Sequence, residues 1–119
     1  MMITVPIKTV SEANRSRHEH WGTTSKRVKS QRHAVALLAR GIDPALVALG
    51  PQLVTLARIA PRDLDDDNLA RCLKAVRDEV AARLGVDDRD PRVSWHYEQR
   101  RGRPKEYAVE IRVDPMGAP

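Results

Sequence analysis

Ile3, Val5 and Ile7 alternate with Thr4, Pro6 and Lys8, which predicts a half-buried strand, and Pro6 points to a sheet edge. Ser11 to Asn14 reads as a turn. From about Arg17 to Ala39 a helix is expected, with Val28, Gln31, Val35 and Leu38 at helical spacing and Gly22-Thr23-Thr24 as a break point. Its polar face carries Lys26, Arg27, Lys29 and Arg32. Gly41 fits a helix stop, and Ile42 to Gly50, with Pro44 inside, reads as a loop or one short helical turn. Pro51 introduces a strand from Leu53 to Ala60, which Pro61 and Arg62 end.

A second helix is expected from about Asn68 to Leu84. Leu69, Leu73, Val76, Val80 and Leu84 step by three or four and make one apolar stripe, and Gly85 is a good stop. Two strands then close the chain. Val93, Trp95 and Tyr97 share one face of the first; Tyr107, Val109, Ile111 and Val113 share one face of the second. Arg100 to Lys105, RRGRPK, reads as a basic hairpin loop between them. The order β-α-β-α-β-β predicts an α/β (α+β) fold, a small mixed sheet with helices packed on it. The first two strands are expected to run parallel across a helical crossover, and the last two to form an antiparallel hairpin. One domain over 1–114 is expected, followed by a frayed tail at 115–119.

With 119 residues, 41% hydrophobic and no Phe, the core must come from Leu, Val, Ile and Ala. A domain this small often gains stability by association. The net charge of +5 is unevenly placed. Residues 1–50 hold 8 Lys or Arg against 3 acids, whereas residues 51–119 hold 13 of each. Excess positive charge favours a polyanionic partner through counterion release. Cys72 is the only cysteine, so no internal disulfide forms, and its place within the second helix predicts a buried, inert thiol. No apolar run approaches the roughly 20 residues that span a bilayer, and the start lacks a signal-peptide pattern. A soluble, cytoplasmic protein without a membrane partner is expected.

The informative stretch is Asp63-Leu64-Asp65-Asp66-Asp67-Asn68, four carboxylates within five residues between a strand end and a helix start. Helix capping and the helix dipole account for one or two of them. Four together repel one another unless a cation lies among them. An EF-hand fails here, because Asn68 stands in place of its Gly and Lys74 in place of its Glu. Mg²⁺ suits better, since it takes few carboxylates, keeps its waters and binds substrate phosphate. Asp87 and Asp88 follow the second helix. About 16 helical residues span roughly 24 Å, so these acids meet the first group only if the loops fold back or across a dimer. His18 and His20 are two apart and do not share a helix face. Trp21 and Trp95 read as core residues before base-stacking ones.

This arrangement resembles the RusA-type Holliday-junction resolvases. The residues that carry the resemblance are Asp65-Asp66-Asp67-Asn68 opening a helix, Arg71 or Lys74 following, and Asp87-Asp88 after the helix. Val5-Pro6 and Ser11 to Asn14 before a basic helix add to it, and the likeness runs from Ile3 to Val113. The family's proline-rich start is reduced here to Pro6, and Asp63-Leu64-Asp65 offers a second register with Asp63 as a ligand.

The resemblance implies a homodimeric, phage- or prophage-encoded endonuclease that cuts branched DNA with Mg²⁺ or Mn²⁺. Asp65, Asp67 and Asp88 would be the catalytic acids and metal ligands, and Lys74 or Arg71 the catalytic cation. Lys26, Arg27, Lys29 and Arg32, with Arg100, Arg101, Arg103 and Lys105, would grip flanking phosphates. The alternative is a non-catalytic DNA-binding protein that uses the basic first helix, in which the acids only cap helices.

Overall fold

A computed structural model describes residues 1–9 and 21–116, with the side chains of 21–25 outside that description. The expected turn at Ser11 to Asn14, the first residues of the first helix, His18, His20 and the side chain of Trp21 lie outside the described residues.

The elements are β1 (Met2–Val5), α1 (Trp21–Leu38), α2 (Pro44–Ala48), β2 (Gln52–Ala60), α3 (Asp66–Cys72), α4 (Lys74–Leu84), β3 (Val93–Arg101) and β4 (Ala108–Pro115). They build the expected α/β (α+β) fold, a mixed sheet with helices against it. The sheet order is β1-β4-β2-β3. β2 pairs parallel with β3, while β4 pairs antiparallel with both β1 and β2.

β1 and β2 run parallel and β3 and β4 antiparallel, as expected, but which strands lie side by side is corrected. β1 and β2 are not neighbours, and β3 and β4 do not form a hairpin, because β4 inserts between β1 and β2. The chain leaves β3, crosses the end of β2 and enters on its other side. Gly102 makes that crossing, its N donating to Ala60 O at 2.8 Å. A Cβ at Gly102 would lie 3.1 Å from Ile59 Cγ2 and 2.7 Å from Glu106 Oε1, so a larger residue there would make Glu106 swing away and Ile59 give slightly. β1 is an edge strand, as Pro6 suggested.

Strand alternation sets two unlike faces. Ile3, Val5, Val54, Leu56, Val93, Val109, Ile111 and Val113 point to the core with Trp95 and Tyr97. The expected stripe of Leu69, Leu73, Val76, Val80 and Leu84 meets them, each at most 5% exposed. Burying a side chain of this size contributes about 1.5–3 kcal/mol. The single second helix is in fact two, because Leu73 leaves helical geometry at φ −96°, ψ 1°. Gly85 ends α4 at φ 73°, in the left-handed region. On α1 the periodicity holds for Gln31 and Val35 but not for Leu38, which is 49% exposed while Ala39 is buried. Arg83 Nε caps the end of α1 by donating to Ala39 O at 2.8 Å.

The opposite face is polar. Arg100 bridges to Glu110 at 2.6 Å and Arg112 to Glu98 at 2.8 Å, both spanning from β3 to β4 over β2. Thr55 and Ala57 of β2 are small and buried, at 4% and 0% exposed. β4 extends through Pro115, and Met116 N donates to Pro51 O at 2.9 Å, so the chain is still tied where fraying was expected to begin. Among the described residues, no helix is long and apolar enough to cross a membrane.

Candidate active site

The acidic segment leaves the end of β2 and is fixed from both sides. Gln99 of β3 accepts from Leu64 N at 2.9 Å and donates to Leu64 O at 2.7 Å. Arg58, facing inward from β2, donates from Nη1 to Arg62 O at 2.7 Å. α3 then starts with Asp65 as its N-cap. One carboxylate oxygen accepts from Asn68 N at 2.9 Å and the other from Asn68 Nδ2 at 3.1 Å. Asp66 and Asp67 occupy the exposed first turn, where they complement the helix dipole. Asp63, the ligand of the second register, faces Arg101 across 3.5 Å.

Asp88 comes back towards this region. The loop after α4 retraces the helix, so that Arg77 Nη2 donates to Asp88 O at 2.8 Å. Arg77 Nε lies 3.4 Å from Asp88 Oδ2. The same guanidinium donates to the Tyr97 hydroxyl at 2.7 Å and stacks 4.7 Å from the centre of the Trp95 ring. Trp95 Nε1 also donates to Asp88 O, at 3.0 Å. Trp95 is therefore a core-packed residue that anchors the acidic loop. Further along the loop, Asp87 accepts from Arg89 N at 2.8 Å. Asp90 holds Arg92, whose hydrogen bonds bring the Asp90 carboxyl down to about 2.

A pocket of about 270 Å³ results, lined by Ala70, Arg71, Lys74, Arg77, Asp88, Arg89 and Tyr97. Three residues nominated from the sequence, Arg71, Lys74 and Asp88, share it. Four cations face one carboxylate, which suits an anionic group. Lys74 Nζ rests 3.3 Å from both oxygens of Asp78, its neighbour one turn on. Asp67 lies three and four residues before Ala70 and Arg71, so α3 turns it to the side that carries the pocket. Asp65 is turned to its capping role instead.

Magnesium needs only one or two protein carboxylates, with the remaining positions taken by water and phosphate. Among the described residues, no three His, Cys, Asp or Glu side chains gather into a ready cluster. Asp67 and Asp88 have the hard oxygen donors that such an ion takes, and both keep access to solvent. The donor types therefore fit a hard divalent cation, while the described residues alone do not enclose one.

The residues expected to grip DNA fall in two places. On α1, Lys26 and Lys29 are exposed, Arg27 is half-buried, and Arg32 bridges to Glu79 of α4 at 3.1 Å. Arg100 and Arg101 belong to β3 and not to the connecting loop, and Arg100 is engaged with Glu110 on the open sheet face. Arg103 and Lys105 are exposed in the crossing itself, with Lys105 at φ 65°. Ala60 pairs with Arg101, so this crossing flanks the acidic segment.

Sequence reasoning passed over Arg77, Gln99 and Arg58. Each sits where an apolar residue is expected: Gln99 and Arg58 on the inward register of their strands, Arg77 beside Val76 and Val80. A polar residue in an inward register is the signal that could have found them. Compared with protein-family models and with curated proteins, the chain gives no match.

Proposed function

We propose that the protein is a divalent-metal-dependent endonuclease acting on branched DNA, in the manner of the RusA-type resolvases it resembles. One observation carries the reading: Asp88, Arg71 and Lys74, named from the sequence, line one cationic pocket beside the turn that bears Asp67. Such a pocket suits a phosphodiester, and the adjoining carboxylates suit a hard cation.

In this reading Arg71 and Lys74 take the non-bridging oxygens of the scissile phosphate and offset its developing charge. Asp67 and Asp88 would hold Mg²⁺ or Mn²⁺, while Asp65 caps α3. When bound, the ion supplies a water of lowered pKa and positive charge at the phosphate. Arg77 positions Asp88 through its backbone carbonyl and its carboxylate. Lys26, Lys29, Arg103 and Lys105 hold flanking phosphates without reading sequence. A C₂ homodimer would present two such sites to the near two-fold symmetry of a four-way junction. On this reading the protein works in the cytoplasm and is phage- or prophage-encoded.

The test is incubation with synthetic four-way junctions and with linear duplex, with and without Mg²⁺ or Mn²⁺. Paired nicks in the junction only with metal are expected. Tight junction binding with no cleavage at any metal concentration would instead favour a DNA-binding protein that uses the basic first helix.

A further inference from the structure

Arg58 is a buried cation, and among the described residues no acid neutralises it. It is 7% exposed. Among the described residues its one hydrogen bond goes to the Arg62 carbonyl, and its Nε has no partner. Removing a guanidinium from water without a counter-charge is costly, and native interiors rarely tolerate it without reason.

Arg58 lines a second pocket, of about 250 Å³, with Lys8, Thr9, Pro61, Arg62, Leu64 and Tyr107. Among the described residues, three cations line it and no carboxylate does. Lys8 Nζ stands 4.7 Å from the centre of the Tyr107 ring. Gln31 of α1 steadies the backbone there by donating to Lys8 O at 3.2 Å. Cys72 adjoins Arg58 but supplies no negative charge, because burial pushes its thiol up. The pocket lies on the Leu64 side of the acidic segment, whereas the first pocket lies on the Ala70–Arg71 side.

We propose that this second pocket binds a phosphate group, with Arg58 as its buried anchor and Lys8 and Arg62 at its mouth, and that its occupant is a backbone phosphate of the nucleic-acid strand. The guanidinium fork of Arg58 offers donors to a tetrahedral oxyanion. The choice of occupant rests on the nuclease reading; the phosphate chemistry of the pocket does not.

The experiment follows Thr9 and Tyr107 by NMR, and the melting temperature, as inorganic phosphate replaces chloride at matched ionic strength and without divalent metal. A single-stranded oligonucleotide and a four-way junction form the other arms. Phosphate should shift both residues and raise the melting temperature. Arg58→Met should weaken phosphate roughly tenfold or more. Its melting temperature should change little, because removal of the buried charge offsets the lost hydrogen bond to Arg62 O. Lys8→Gln, at the exposed rim, gives the same loss in smaller measure if Arg58→Met fails to fold. In the junction arm, Lys8→Gln should lower the salt slope of binding by about 1.

No response to phosphate in the wild type, or an equal response in wild type and Lys8→Gln, overturns the site. A response to phosphate that the oligonucleotide and junction neither reproduce nor displace identifies a free-phosphate site and overturns the strand-phosphate occupant. None of these readouts depends on cleavage, so a protein that cuts nothing can still pass, and one that cuts can still fail.

Discussion

Gln99 holds Leu64 by both of its backbone groups, accepting from N at 2.9 Å and donating to O at 2.7 Å. A side chain here does what a neighbouring strand would do, and it pins the acidic segment to β3. Gln99→Ala should cost about 1–2 kcal/mol from two lost hydrogen bonds and an unpaired backbone. Faster amide exchange at Leu64, beyond the global change in stability, is the measurement. Unchanged exchange would show that the segment is held by other contacts.

Arg77 joins Asp88, Tyr97 and Trp95. Arg77→Lys keeps the charge and loses the planar fork. A loss of about 2 kcal/mol in urea unfolding is expected, from broken charge-assisted bonds and a lost stack. Trp95 fluorescence should shift as its ring loses the guanidinium. If junction cleavage survives intact in this variant, Asp88 has no part in it.

Asp65 and Asp67 differ in what they do for the fold, and this separates capping from chemistry. Asp65→Ala should cost about 1 kcal/mol by removing the N-cap, while Asp65→Ser should recover most of it. Asp67→Asn should leave stability within about 0.5 kcal/mol, abolish cleavage and spare junction binding. Full cleavage by Asp67→Asn would refute its assignment.

On the open sheet face, the hydrogen bond from Arg100 holds the Glu110 carboxyl below its ordinary value of 4.5. A lowered folded-state value contributes stability above the ordinary range and loses it as pH falls through the folded-state value. Glu110→Gln should therefore be less stable than wild type near neutral pH, by about 1 kcal/mol since Arg100 is half exposed. The gap should close in acid, below 4.5. Urea midpoints for both proteins across that range decide it, and a constant gap would sink the assignment.

The parts of the fold legible in the sequence are those that depend on local period. Leu69, Leu73, Val76, Val80 and Leu84 announce a buried helical stripe, and each is buried. Alternation likewise gave the inward faces of β3 and β4. Alternation says nothing about which strand lies beside which, so the insertion of β4 between β1 and β2 was hidden. Helix length alone set Asp88 far from the first acids; the loop's return to Arg77 depends on a side chain 11 residues earlier. Asp65 carries the same ambiguity in one residue, since the N-cap pattern and the metal-ligand pattern share their amino acids.

The position of β4 has a consequence for how the chain comes off the ribosome. Its partner on one side, β1, is made first, and its partner on the other, β2, near the midpoint. Neither can close its ladder with β4 until β4 itself emerges from the exit tunnel. Until then β2, running Gln52–Ala60, offers an unsatisfied apolar edge to any passing strand. A message broken before residue 108 therefore yields a chain whose two earlier strands both keep an open edge, a sticky product and not a smaller working one.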